Sequence, residues 1–153
     1  MHHFKKTLKV ASITAMVLLA TACSSMGGMG GMGGMGGMSE KSTPALTGAQ
    51  EVPPVSTTAS GRSTIAVASD RSVSGSVIVS GIEATAAHIH QGAMGANGPV
   101  IVPLAKTSAT TFSVPAGAKL TDAQYAALQE GKLYINVHSA AHPGGEIRLQ
   151  MKP

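Results

Sequence analysis

The sequence predicts an all-β domain, a Greek-key β-sandwich or barrel carrying one short helix. Three observations support this. Residues 45–153 are rich in Val, Ile, Ser and Thr, in short runs cut by glycine and proline. Several runs alternate apolar and polar residues with the period of two expected of a half-buried strand. A single stretch, Asp122 to Gln129, has helical character. The segment has the length of one ordinary domain. Its apolar residues are mostly small and its aromatic content is very low, so a thin core is expected.

Taken in order, Leu46 to Val52 reads as a first strand, ended by Pro53-Pro54. Gly61 to Ser69 alternates, with Ser63, Ile65, Val67 and Ser69 on one side. Asp70-Arg71-Ser72 is a turn by composition. It leads into Val73 to Ile82, which is expected to pair with the preceding run as a hairpin. Ala86 to His90 is the next strand, and the glycine-rich Gln91 to Pro99 is a loop. Val100 to Ala105 follows, where Pro103 implies an edge or a bulge. Thr110 to Val114 is a further strand. Thr121 and Gln124 form a capping-box pattern ahead of the helix, and Gly131 supplies its stop. Lys132 to Ser139 is a strand with Leu133, Ile135 and Val137 inward, leaving Tyr134, Asn136 and His138 on the opposite face. Gly144-Gly145 turns the chain into a last strand, Glu146 to Met151.

The N-terminal part has a different texture. Lys5, Lys6 and Lys9 precede an apolar run from Val10 to Ala20, the pattern of a signal peptide and short for a membrane span. Leu19-Ala20-Thr21-Ala22-Cys23 is similar to a bacterial lipobox, which implies residues 1–22 as leader and acylation of Cys23. The following Ser24-Ser25 resembles the outer-membrane pattern of such lipoproteins. The expected address is therefore the cell envelope, anchored by lipid to the outer membrane and facing the periplasm. Cys23 is the chain's one cysteine, which leaves no intrachain disulfide and no thiol ligand in the domain. Of 11 basic side chains, the leader removes three, leaving 8 against 7 acidic ones. With no basic patch and few aromatics, nucleic-acid binding is not expected. Residues 23–44 hold a Met-Gly-Gly repeat with Met26, Met29, Met32, Met35 and Met38 at a period of three. The glycines specify a tether. The thioethers are soft ligands of the kind that suit Cu(I), so a metal-capturing role is open beside the tether role.

Histidine carries the chemistry. Once the leader is set aside with His2 and His3, the chain keeps four histidines: His88, His90, His138 and His142. His88 and His90 lie two apart on a strand and so project from one face. A histidine from a neighbouring strand, His138, would complete a three-nitrogen site. His142 is a candidate fourth ligand and also fits a turn, His142-Pro143-Gly144-Gly145. Met94, in the glycine-rich loop, is a candidate soft axial ligand. Imidazole suits copper and zinc, and the methionine repeat tilts the choice to copper, with zinc as the alternative. The competing reading makes these histidines hydrogen-bonded parts of a polar sheet edge. Glu51 and Glu146 are candidates for orienting an imidazole, set against the commoner role of surface pairs with Arg62 or Arg148.

Four segments together resemble one family. These are Leu46-Thr47-Gly48-Ala49-Gln50-Glu51-Val52-Pro53-Pro54-Val55, Ala87-His88-Ile89-His90-Gln91-Gly92-Ala93 with Gly95 and Asn97-Gly98-Pro99-Val100, Leu133-Tyr134-Ile135-Asn136-Val137-His138-Ser139, and Pro143-Gly144-Gly145-Glu146-Ile147-Arg148. In order and spacing they are similar to the CHRD domain, named for chordin and found in secreted bacterial proteins. The resemblance spans nearly all of residues 45–150. Leu149 departs from it, standing where the family commonly has glycine. The His-x-His strand also resembles, locally, the copper strand of Cu/Zn superoxide dismutases. Those proteins use further histidines and an aspartate for zinc, so four histidines imply a single metal here.

Three functions follow as expectations. The first is an envelope lipoprotein that binds one copper ion to buffer, store or deliver it, without catalysis. The second is a copper oxidoreductase of superoxide-dismutase type, which needs an open coordination position. The third is a metal-free interaction module, the role that chordin-like repeats imply. The partners expected are thus a metal ion and the membrane, with a homo-oligomer open and any protein partner unspecified. No nucleophile elbow, phosphate loop or paired catalytic carboxylate is present.

Overall fold

A computed structural model describes residues 45–153. The leader, Cys23 and the methionine repeat lie outside the described residues. The elements are β1 (Ala45–Thr47), a 3-10 turn (Gly48–Gln50), β2 (Ser60–Ser63), β3 (Ala66–Val67), β4 (Val73–Ser74), β5 (Ser76–Ser80), β6 (Ala84–Gln91), β7 (Val100–Pro103), β8 (Ala105–Lys106), β9 (Thr111–Ser113), α1 (Asp122–Gln129), β10 (Leu133–Ser139) and β11 (Ile147–Gln150). The fold is all-β with one short helix, as the alternating runs require.

Nine strands form one antiparallel sheet in the order β7-β6-β10-β11-β1-β2-β5-β9-β8. Its two terminal strands, β7 and β8, are consecutive in the chain, separated by Leu104 alone. Leu104 donates its N–H to the Ala87 carbonyl, and Lys106 Nζ reaches the Ala84 carbonyl at 2.6 Å. The segment Val100–Lys106 therefore pairs with β6 at its start and β9 at its end, and bends the sheet into a nearly closed barrel. Closure protects strand edges that would otherwise invite pairing with another chain.

The barrel interior holds Leu46, Val77, Val79, Ala87, Ile89, Phe112, Leu133, Ile135, Val137 and Ile147. Leu133, Ile135 and Val137 face inward, as their spacing predicts. Burying each such side chain contributes roughly 1.5–3 kcal/mol, which small aliphatic residues can supply across a tightly curved sheet.

Two expected strands are interrupted. The first stops at Thr47, because Gly48 opens a 3-10 turn and its carbonyl accepts from both Glu51 and Val55. A Cβ at Gly48 would overlap the Val55 carbonyl, so only glycine permits this crossing. The predicted hairpin is present, but it is broken into β2–β5 and β3–β4. Ser63 Oγ takes the Ile65 N–H at 3.1 Å, and Gly75, at φ 105°, packs against the Thr64 carbonyl. Helix α1 begins at the predicted capping box, with Thr121 and Gln124 exchanging side-chain and backbone hydrogen bonds. It ends at Gly131, φ 67°.

Candidate metal centre

Strand β10 lies between β6 and β11, so the histidines stand on central strands, not on a polar sheet edge. Tyr134 pairs with His90, Asn136 with His88 and His138 with Ala86. His138 is thereby diagonal to His88 on the face opposite the core, a separation that long side chains span. The register slips after His138, where Thr85 is left over on β6 and its hydroxyl donates to the His138 carbonyl at 3.2 Å.

The result is a convergent triad. One ring nitrogen each of His88, His90 and His138 lie within 4.8 Å of one another. His88 Nδ1 is 3.1 Å from His138 Nε2. Backbone carbonyls select the tautomers, since a carbonyl only accepts. His90 Nδ1–H donates to Gly98 O at 2.9 Å, and His138 Nδ1–H donates to Pro143 O at 3.0 Å. Both rings therefore present Nε2 as a lone pair. His138 Nε2 receives the His88 Nδ1–H, whereas His90 Nε2 is buried and has no hydrogen-bond partner. His90 is 8% exposed, while His88 and His138 are half-buried and give the triad an open side.

Electrostatics keep the triad neutral. Burial depresses the pKa of His88, and the neighbouring His138 and His90 add to the effect. Burial depresses His90 too, against the opposing hydrogen bond to Gly98, with His138 and Arg148 contributing. His138 is lowered by burial and partly restored by its bond to Pro143. Three neutral imidazoles with converging nitrogens form a donor set for a borderline cation such as copper or zinc.

Two loops supply the orienting carbonyls, and each is pinned. Gly98 sits in the loop between β6 and β7. Arg148, on β11, donates to the carbonyls of Ala93 and Ala96, to Asn97 Oδ1 and to Gln150 Oε1. Tyr134 accepts the Gly98 N–H at 3.0 Å. Pro143 sits in the loop before β11, where the Glu146 carboxylate accepts from Ser139 Oγ and from Thr57 Oγ1 (2.7 Å for the latter). Burial pushes Glu146 up, but these hydrogen bonds and His142 outweigh it and hold the carboxyl below its ordinary pKa.

Neither glutamate forms the surface arginine pair that its charge alone suggests. Glu146 is buried and bound by hydroxyls, and Arg62 is exposed on β2. Glu51 is 4% exposed, and Arg148 beside it is 1% exposed. Burial raises the Glu51 pKa to about 7, against the opposing charge of Arg148 and hydrogen bonds from Val52 and Asn136. Asn136 Nδ2 reaches Glu51 Oε2 at 3.4 Å, and both Glu51 Oε1 and Asn136 Oδ1 are buried without partners.

His142 lies outside the cluster of converging nitrogens. Its backbone N–H donates to Ser139 Oγ, and its carbonyl accepts from Gly145, so it serves the turn. Met94 is 80% exposed at the tip of the β6–β7 loop, lining surface grooves with Arg148, Gln150 and Met151. Sequence reasoning missed Tyr134 and Arg148. The Tyr134 ring lies flat against His90 (centroids 4.8 Å, interplanar angle 11°), and the Arg148 guanidinium sits 3.5 Å above the Tyr134 centroid. Arg148 alternates with Ile147 and Leu149 between Glu146 and Gln150, as an exposed strand residue does, so the sequence carries no signal of its burial.

The CHRD domain family matches residues 43–151. The match covers more than half of the chain, so the protein belongs to the CHRD family. No curated protein and no solved structure matches it.

Proposed function

We propose that this CHRD domain binds a single metal ion, copper before zinc, through His88 Nδ1, His90 Nε2 and His138 Nε2. The observation that carries the reading is the buried His90 Nε2, a lone pair without a donor. An unsatisfied buried acceptor costs about 1–3 kcal/mol, a cost that a cation at that point removes. A metal would displace the His88–His138 hydrogen bond, and His88 would move its proton to Nε2, freeing Nδ1 without net proton loss. A metal-free interaction module gives no reason to leave such a nitrogen bare.

The same reading extends to the whole chain as an envelope lipoprotein anchored at Cys23, holding or passing on copper. Met26, Met29, Met32, Met35 and Met38 would capture Cu(I) ahead of the domain. Copper leads because these thioethers share a chain with the triad. The half-exposed sides of His88 and His138 favour one second reading, a redox enzyme of superoxide-dismutase type, since an open position is what such turnover needs.

The test is competitive copper titration of the chain with the five repeat methionines changed to serine. One tight equivalent is expected, lost in His88→Ala, His90→Ala and His138→Ala. Binding unchanged in all three overturns the proposal. Superoxide decay no faster than with free copper removes the enzymatic reading.

A further inference from the structure

Behind the triad lies a second stack that the ligand set does not explain. His90, Tyr134 and Arg148 stand on the adjacent strands β6, β10 and β11. The imidazole lies on one side of the phenol ring and the guanidinium caps the ring. Tyr134 and Arg148 are each 1% exposed, so neither ring nor cation is screened by solvent. The guanidinium's hydrogen bonds go to neutral acceptors, three carbonyl groups of the β6–β7 loop and the Gln150 side chain. Among the described residues, the carboxyl that couples to its charge is that of Glu51, which burial keeps protonated up to about pH 7. The Arg148 charge thus lies behind His90 with only the phenol ring between them. A buried cation at that separation disfavours added positive charge on a metal bound to the imidazole.

Resting on the copper reading, we infer that Arg148 is an electrostatic positioning residue of the triad, biasing bound copper toward Cu(I) over Cu(II) through Tyr134 and His90. The stack fixes the distance. A unit charge roughly 8–10 Å from the metal, at an effective dielectric of about 20, shifts an equilibrium that changes by one charge by roughly 15- to 30-fold. Glu51 is the counterweight: as a carboxylate it offsets Arg148 and relaxes the bias.

The experiment is a potentiometric titration of the full chain, with the five repeat methionines as serine and one equivalent of copper, followed by the Cu(II) electron paramagnetic resonance signal. At pH 6.5, Arg148→Met is expected to lower the Cu(I)-to-Cu(II) affinity ratio roughly 15- to 30-fold, a fall of about 70–90 mV for one electron. Arg148→Lys, which keeps the charge, is expected to stay within threefold of wild type. At pH 8.5, where Glu51 is ionised, Glu51→Gln is expected to raise the ratio. Equal shifts in Arg148→Met and Arg148→Lys, or a Glu51→Gln ratio unchanged or lowered, overturn the inference. Should Arg148→Met fail to fold, the sign of the Glu51→Gln shift decides. A wild-type chain without a histidine-bound copper signal overturns the copper reading itself, whereas a signal that no variant shifts overturns this inference alone.

Discussion

Gly98→Ala tests whether the loop carbonyl, and not the histidines alone, makes the site. No ligand is touched. A Cβ at Gly98 would overlap the Gln91 carbonyl oxygen and press on the Gln91 carbonyl carbon at 2.7 Å. Both contacts are backbone, so the loop must move as a unit. Two hydrogen bonds move with it: His90 Nδ1 to Gly98 O at 2.9 Å, and Gly98 N to Tyr134 Oη at 3.0 Å. At about 1 kcal/mol each, with more for a buried group left unpaired, the metal-free domain should lose about 2–4 kcal/mol. His90 also loses the acceptor that fixes its tautomer, a change that typically costs 10–100-fold in metal affinity. Urea denaturation of the metal-free chain reads the first quantity and competitive copper titration the second. Wild-type stability together with wild-type affinity would refute the reasoning, because it would mean that the carbonyl neither orients His90 nor supports the loop.

Glu51→Gln should stabilise the metal-free chain by about 1–3 kcal/mol at pH 8.5. Its pKa is raised from 4.5 to about 7 on folding, so the wild type loses stability as pH rises through that interval, and the difference should vanish near pH 4.5 in denaturation curves. The triad histidines titrate below their ordinary 6.5 in the folded chain, so with Glu51→Gln removing the carboxyl that ionises near 7, copper affinity should stay flat from pH 8 to 6.5 and fall only below it, as a pH series of competition titrations would show. In the Glu51→Gln background those lowered pKa values contribute stability that is present above pH 6.5 and lost as pH falls, which thermal melts across pH 7.5 to 5 would register. His142→Ala should keep copper affinity within about threefold, because its role lies in the turn's backbone.

The barrel class was legible because strand alternation is local. The period of two put His88 and His90 on one face without any knowledge of partners. His138 was a conditional member, since its place depends on β10 lying beside β6 in a register that pairs Asn136 with His88. A slip of one residue would have turned it into the core. The sequence predicts too long a first strand because Gly48 looks like any strand glycine, and only the fold packs the Val55 carbonyl against it. Arg148 was misplaced for a sharper reason. Charged residues are exposed by default, and only the meeting of three strands and a loop supplies the carbonyls and the Tyr134 face that keep this one buried. The unpaired nitrogen of His90 is a property of tertiary structure alone, because its tautomer is set by Gly98, eight residues along the chain.

The central claim is that three imidazoles hold one metal ion. It is tested most directly by Cu(II) electron paramagnetic resonance of the full chain carrying serine at the five repeat positions, with histidine labelled with nitrogen-15. One copper species is expected, whose nitrogen hyperfine pattern changes with the label and whose spectrum is lost in the His88→Ala, His90→Ala, His138→Ala triple variant. A spectrum that survives intact in the triple variant would contradict it.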